Sequence, residues 1–183
     1  MSSVVLNMKE SVGRFLLKSR LRQVKRKKQL VNLNQAKTIC IAYNVTSQSA
    51  FRTVKTMVKE LTTKQRQVMA LGFINRKSIP NYCVAANSGY YFNQRDLNWY
   101  GGPKNDYIKE LINKEFDILI DLTLEDVFVL QYVSGLSRSK LKVGRYSKTH
   151  ESYFDLMINL KKTATLEDFI DHVLHYLIIL KSK

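Results

Sequence analysis

Short apolar stretches alternate with helix-like segments along most of this chain, and that alternation is the strongest constraint on its fold. Five stretches are each long enough for one strand, at residues 38–43, 67–74, 116–122, 142–145 and 154–160. Apolar residues recur at helical spacing in the segments between and after them, at residues 47–61, 104–113, 124–136 and 166–180. Strands linked by helices form parallel sheets with helices on both faces. We therefore predict an α/β fold with a Rossmann-like, doubly wound, mainly parallel sheet.

Two details refine this prediction. A further short strand is expected at residues 90–92, inside an aromatic-rich connection. The stretch at 116–122 should be a central strand, and central parallel strands are buried on both faces. Ile118, Leu119, Ile120 and Leu122 should therefore all be inaccessible to solvent.

The N-terminal region has a different character. Residues 8–31 contain apolar positions at helical spacing, and Arg14, Lys18, Arg22 and Arg26 recur every four residues, which predicts one long basic helix. We expect a basic helical extension over residues 1–33 and a single Rossmann-like domain over residues 34–183.

The charge of the chain is concentrated in its first half. Residues 1–95 carry 18 of the 30 Lys and Arg residues but only two acids, Glu10 and Glu60. Residues 96–183 carry 12 bases and 13 acids, so the net charge of +15 comes from the first half alone. This asymmetry favours a polyanionic partner, either a nucleic acid or an anionic membrane surface.

The basic segment supplies the main candidate site. A run of cations without an acid can neutralise phosphates independently of base sequence. The predicted RNA-binding residues are Arg14, Lys18, Arg20, Arg22, Lys25, Arg26, Lys27 and Lys28.

The segment GYYFNQRDLNWYGGPK at residues 89–104 supplies a second candidate. It places aromatic residues beside cations, and aromatic rings stack on unpaired bases. Arg95, Trp99 and Tyr100 are predicted to make secondary contacts with a nucleic acid or a ligand. The alternative interpretation is that these aromatic residues pack against the sheet.

The sequence contains no recognisable catalytic constellation. Asp121 ends a predicted strand, where ligands bind in doubly wound sheets, so it is a candidate ligand contact. Glycine-rich phosphate loops, GxSxG and HExxH are absent, and no cluster of Cys and His suggests a metal. We predict no catalytic residue, no metal and no cofactor.

Two features bear on cellular location. No apolar run approaches 18 residues, so no transmembrane segment is expected. Cys40 and Cys83 are the only cysteines and do not suggest a disulfide framework, which favours the cytoplasm.

Part of the sequence resembles a glycosyltransferase segment. In residues 116–147, FDILIDLTLEDVFVLQYVSGLSRSKLKVGRYS, a strand ending in Asp121 leads into a helix, a stretch containing Ser134 and Gly135, and a strand containing Val143 and Gly144. This order is similar to the heptosyltransferase family. The resemblance implies the Rossmann-like half of a two-domain, sugar-nucleotide-dependent architecture.

Most of the chain resembles a family of small, uncharacterised basic proteins of Bacteroidetes-type bacteria. The likeness rests on the basic N-terminal segment and on the motifs ALGF (70–73), DLNW (96–99), DILIDL (117–122) and KVGRYS (142–147). It implies a fold but no established activity.

These observations favour a non-enzymatic RNA-binding protein that grips phosphates through its N-terminal segment, with ribosomal RNA or the ribosome as the expected partner. Two alternatives remain open. One is a degenerate sugar-nucleotide-binding domain with Asp121 near its site. The other is a peripheral membrane protein anchored on anionic lipid by the N-terminal helix.

Overall fold

The structure, a computed structural model, describes residues 3–63, 65–84 and 89–181. Its centre is a six-stranded sheet in the order β3-β2-β1-β4-β5-β6, in which every neighbouring pair is parallel. The strands are β1 (Thr38–Asn44), β2 (Gln67–Ile74), β3 (Gly89–Asn93), β4 (Ile118–Asp121), β5 (Leu141–Arg145) and β6 (Leu156–Ile158). This strand order is that of a doubly wound Rossmann sheet, so the predicted fold class is confirmed.

Helices cover both faces of the sheet. They are α1 (Ser3–Leu21), α2 (Gln48–Thr62), α3 (Asn81–Val84), α4 (Asp106–Asn113), α5 (Phe128–Leu136) and α6 (Leu166–Ile179). Helices α2 and α6 pack into one hydrophobic core, and α4 and α5 pack into a second core on the other face. Helix α1 lies against α5 and adds Leu17, which is fully buried, to the second core.

Most of the predicted elements are confirmed, with small shifts at their ends. Ile118, Leu119, Ile120 and Leu122 are at most 2% exposed, as expected of a central strand. The largest shift within the sheet domain is at α5, which begins at Phe128 rather than at residue 124. The predicted end positions 1 and 183 lie outside the described residues.

The prediction of a single helix over residues 8–31 is wrong at its C-terminal end. Helix α1 ends at Leu21, and residues 24–32 have no helical structure. Arg22, Lys25, Arg26, Lys27 and Lys28 follow one another without an acid, so continued helix would place like charges on neighbouring turns. The basic stripe predicted along one helix face therefore stops at Lys18.

Residues 22–33, here called the strap, run across the end of the sheet. The amide of Gln29 donates to the carbonyl of Lys140 at 3.1 Å, and the Asn32 side chain donates to the carbonyls of Ile178 and Leu180 at 2.6 and 2.7 Å. Val31 and Leu33 are buried in the first core. These long-range contacts replace the helical hydrogen bonds that the sequence pattern had predicted. The division into units at residue 33 stays a prediction.

Candidate nucleic-acid interface

A compact loop at residues 97–103 follows the 3-10 turn Gln94–Asp96. Leu97 and Pro103 pair in an isolated antiparallel bridge, which closes the loop at its base. The Asn98 side chain accepts hydrogen bonds from the backbone amides of Tyr100 and Gly102 at 3.2 and 2.9 Å. The loop is therefore held by its own backbone and by one amide side chain.

The tip of this loop presents an exposed indole. Trp99 is 63% exposed, and its ring meets Tyr100 edge-on with 5.5 Å between ring centres. Gly101 follows with φ of +84°, a conformation that favours glycine. An exposed tryptophan on a fixed turn offers a flat apolar surface to an incoming ring.

Helix α1 approaches this loop unusually closely. A Cβ atom at Gly13 would collide with the carbonyl oxygen of Tyr100 and would lie 2.8 Å from the Phe128 ring. Glycine weakens a helix interior, and here the missing side chain allows contact between helix and loop. Gly13 thus allows the C-terminal half of α1 to lie beside the loop at residues 97–103, which we call the aromatic loop.

A groove lies between the end of α1, the aromatic loop, α4 and α5. Its volume is about 540 Å³. Every charged residue that lines it is basic, namely Arg20, Lys104, Lys109 and Arg138. Polar and aromatic lining comes from Gln23, Asn98, Asn113, Tyr100 and Tyr132, and apolar lining from Val24, Pro103, Ile112 and Leu136. We call this feature the basic groove.

Arg20 is oriented within the basic groove by a tyrosine. Its guanidinium donates a hydrogen bond to the phenol oxygen of Tyr132 and lies 5.8 Å from the centre of that ring. Tyr132 itself is buried, and burial raises the pKa of its phenol. Arg20 nevertheless remains exposed, and its guanidinium also interacts with the hydroxyl of Tyr100.

The other cations of the basic segment divide into two groups. Lys18, Arg22, Lys25, Lys27 and Lys28 are exposed. Of these five, only Lys28 has an ion pair among the described residues, at 3.8 Å from Asp155, and its side chain is still 73% exposed. This group forms a solvent-facing basic surface that leads toward Arg20.

Arg14 and Arg26 are instead engaged within the protein. Arg14 binds Glu10 at 2.6 Å and donates to the Gln131 side chain at 3.1 Å. The Arg26 side chain is only 6% exposed; it pairs with Asp155 at 2.6 Å and donates to the carbonyls of residues 139 and 140. Their predicted role in RNA binding is untested, and their guanidinium groups already have carboxylate partners.

The structure does not bring all the residues predicted to make secondary contacts to the basic groove. Tyr100 lines the basic groove and Trp99 lies beside it, whereas Arg95 is exposed on the preceding 3-10 turn and does not line the groove. Sequence reasoning missed Arg138 and Tyr132 as groove residues. They belong to α5 and the connection that follows it, and only the folded topology brings them to Arg20.

Asp121, the remaining predicted contact, is buried and fully engaged. The Ser134 hydroxyl donates to one carboxyl oxygen at 2.6 Å, and the amide and hydroxyl of Thr123 donate to the other. Burial raises the pKa of Asp121 despite these hydrogen bonds. The carboxyl group joins β4 to the following loop and to α5.

A small cavity adjoins Asp121 at the carboxyl edge of the sheet. Its lining includes His150 and Arg145, and its volume is about 20 Å³, room for about one water molecule. His150 is 7% exposed, and its Nε2 atom lies 3.6 Å from Asp126. Burial lowers the pKa of His150, which favours the neutral ring. Among the residues that the structure describes, no group of three or more His, Cys, Asp or Glu side chains is arranged to hold a metal ion.

These features define a three-layer α/β protein of Rossmann topology with a basic, aromatic-flanked groove on one helical face. The chain belongs to a family of unknown function (DUF6913), whose family model matches residues 9–180. This confirms the predicted membership of an uncharacterised family. No curated protein and no solved structure matches the chain significantly. The resemblance to heptosyltransferases stays a prediction.

Proposed function

We propose that this protein is a non-enzymatic RNA-binding protein whose phosphate-binding surface runs from the exposed cations of the strap into the basic groove. The observation that carries the proposal is the meeting of Arg20, from the basic segment, with Tyr100, from the aromatic segment, in a groove whose charged lining is entirely basic. Phosphate neutralisation supplies most of the affinity of such surfaces, and aromatic rings add stacking.

The proposed contact residues are those whose charged ends are accessible. They are Lys18, Arg20, Arg22, Lys25, Lys27, Lys28, Lys104 and Arg138. Ribosomal RNA is the first partner we would test, and the cytoplasm is the proposed location. No helix in the described part of the chain is long and apolar enough to span a bilayer.

The two alternatives have less support. The cavity beside Asp121 has a volume of about 20 Å³, far too small for a sugar nucleotide. The membrane alternative can use Val12 and Phe15, which are 39% and 72% exposed on α1. It is therefore retained as an outcome of the experiment below.

The test is equilibrium binding of the full chain to a fluorescent single-stranded RNA at several salt concentrations. If about five cations engage phosphates, log K should fall with log salt with a slope of about −3.5, at about −0.7 per contact. Absence of binding at low salt would overturn the proposal. Binding to vesicles of anionic lipid in preference to RNA would favour the membrane alternative.

A further inference from the structure

The basic groove has the dimensions of a small-molecule site rather than of a flat electrostatic patch. Its volume of about 540 Å³ lies within the range of about 300–1,000 Å³ typical of ligand pockets. A single nucleotide fits a space of this size, whereas a base-paired helix cannot enter it. The size of the groove therefore bears on which form of RNA the protein selects.

The lining of the basic groove separates into groups that match the parts of a nucleotide. Arg20, Lys104 and Arg138 can neutralise a phosphate. Lys109 is the exception among the basic lining residues, because its ammonium already pairs with Asp106 at 2.7 Å. Arg138 and Lys104 are exposed, and neither side chain has an ion-pair partner among the described residues.

The remaining lining suits a base. Tyr100 and the neighbouring indole of Trp99 offer aromatic surfaces for stacking. Gln23 and Asn113 add side-chain amides, which can donate to and accept from base edges. The Asn113 amide nitrogen donates one of its two hydrogens to the carbonyl of Lys109 at 2.9 Å, which leaves its oxygen and its second hydrogen for a base. The Asn98 carbonyl oxygen is already occupied by two backbone amides, so this residue contributes structure to the loop.

We propose that the basic groove holds one unpaired nucleotide of a single-stranded RNA, with its phosphate on Arg20, Lys104 and Arg138 and its base against Tyr100. This inference rests on the proposed RNA-binding function and narrows it to RNA with an accessible, unstacked base. Base stacking is sequence-tolerant, so the groove selects single strands without selecting a sequence.

The experiment measures binding of the full chain to a single-stranded RNA of about 12 nucleotides and to the same RNA annealed to its complement. We expect the duplex to bind at least tenfold more weakly. We also expect adenosine monophosphate to displace the single strand, and inorganic phosphate at equal concentration to displace it much less.

Arg138→Gln tests the groove directly, and Arg52→Gln on α2 is its control. Both residues are exposed and each change removes one positive charge, but α2 lies on the opposite face of the sheet. Arg138→Gln should weaken single-strand binding about five- to tenfold and abolish displacement by the nucleotide. Arg52→Gln should change affinity less than twofold.

The possible failures are distinguishable. Three results together would overturn the inference while leaving RNA binding intact. They are equal binding of single strand and duplex, no displacement by the nucleotide, and equal effects of the two variants. No binding of either RNA would overturn the proposed function itself. If thermal melting shows that Arg138→Gln does not fold, the nucleotide displacement measured on the wild-type protein decides.

Discussion

Arg20 donates a hydrogen bond to the phenol oxygen of Tyr132, which lies 112 residues further along the chain, and its guanidinium carbon lies 5.8 Å from the centre of the same ring. This contact joins the end of α1 to α5 and fixes the direction of one groove cation. Tyr132 is only 4% exposed, so its main effect on the basic groove is through the hydroxyl group that orients Arg20.

Tyr132→Phe should weaken single-stranded RNA binding about three- to tenfold, because Arg20 keeps its charge but loses the hydrogen bond that orients it. Loss of about 1 kcal/mol should lower the melting temperature by only about 2–4 °C. Anisotropy titrations at several salt concentrations check this. The salt slope should stay that of the wild type, and unchanged affinity would contradict the assigned role.

Arg26→Gln should mainly lower the stability of the protein, whereas Arg22→Gln should mainly change its binding to RNA. Arg26 donates to two carbonyls and pairs with Asp155, whose side chain is only 16% exposed. Its loss removes all three contacts and leaves this carboxylate without its close cation, which should cost about 2–4 kcal/mol of unfolding free energy. Arg22 is exposed, so its change should affect stability by less than about 0.5 kcal/mol. In RNA titrations Arg22→Gln should reduce the magnitude of the salt slope by about 0.7.

Denaturant unfolding of both proteins separates these effects. Equal stability of the two variants would mean that Arg26 does not anchor the strap.

Gly13→Ala should destabilise the protein although alanine favours helix by about 1 kcal/mol. The added methyl group would meet the Tyr100 carbonyl and the Phe128 ring, so α1 would have to move away from the aromatic loop. Melting temperature and RNA affinity should both fall. Ser19→Ala, at an exposed position of the same helix, should leave both unchanged or raise stability slightly; a Gly13→Ala protein as stable as this control would contradict the close contact.

Lys142 should make stability rise with pH above neutrality. Burial lowers the pKa of its ammonium to about 7, while its Nζ atom donates to the carbonyls of Ser134 and Gly135 at 2.9 and 2.6 Å. Above pH 7 the unfolded chain keeps this proton and the folded chain loses it, so the unfolded state binds more protons and stability increases with pH. The contribution of Lys142 to stability should increase by about 2 kcal/mol between pH 7 and 9.

The two buried thiols oppose that gain within the same pH window. Burial raises the pKa of Cys40 to about 12 and that of Cys83 to about 11, whereas an unfolded thiol has a pKa of about 8.5. Ionisation of the unfolded thiols therefore favours unfolding above about pH 8 and offsets about 1–2 kcal/mol by pH 9. Urea unfolding at pH 7, 8 and 9 checks the prediction. The stability of Lys142→Met should fall over this range, so the difference between the wild type and the variant should change by about 2 kcal/mol. A difference that does not change with pH would assign the effect to another group.

Asp121→Asn should lower stability without changing RNA binding. An asparagine amide cannot accept all three hydrogen bonds that the carboxyl group receives, which should cost about 1–3 kcal/mol. Thermal melting and RNA titration of the same preparation check both parts. Loss of RNA affinity in a folded Asp121→Asn protein would show that the carboxyl edge of the sheet belongs to the binding site.

The sequence was sufficient for the sheet and insufficient for the site. Short apolar or aromatic stretches in the sequence predicted all six strands, because strands in a buried parallel sheet are continuous apolar runs. The end of α1 was missed, because the partners of Arg26 are backbone carbonyls more than 100 residues away, and local periodicity carries no information about them. Arg138 and Tyr132 were missed for the same reason, since the groove exists only after α1 packs on α5.

The contacts of the strap determine when the N-terminal region can fold during biosynthesis. Arg26 and Asn32 find their partners 113 to 148 residues downstream, so the strap is translated long before the carbonyls and Asp155 that receive it. At about 5–20 residues per second, this delay is on the order of 10 s. During that interval, the seven cations between Lys18 and Lys28 leave the exit tunnel next to the ribosome's own polyanionic surface, before the downstream partners of Arg20, Arg26 and Lys28 have been made. Final docking of the N-terminal region is therefore among the last steps in the folding of a newly made chain.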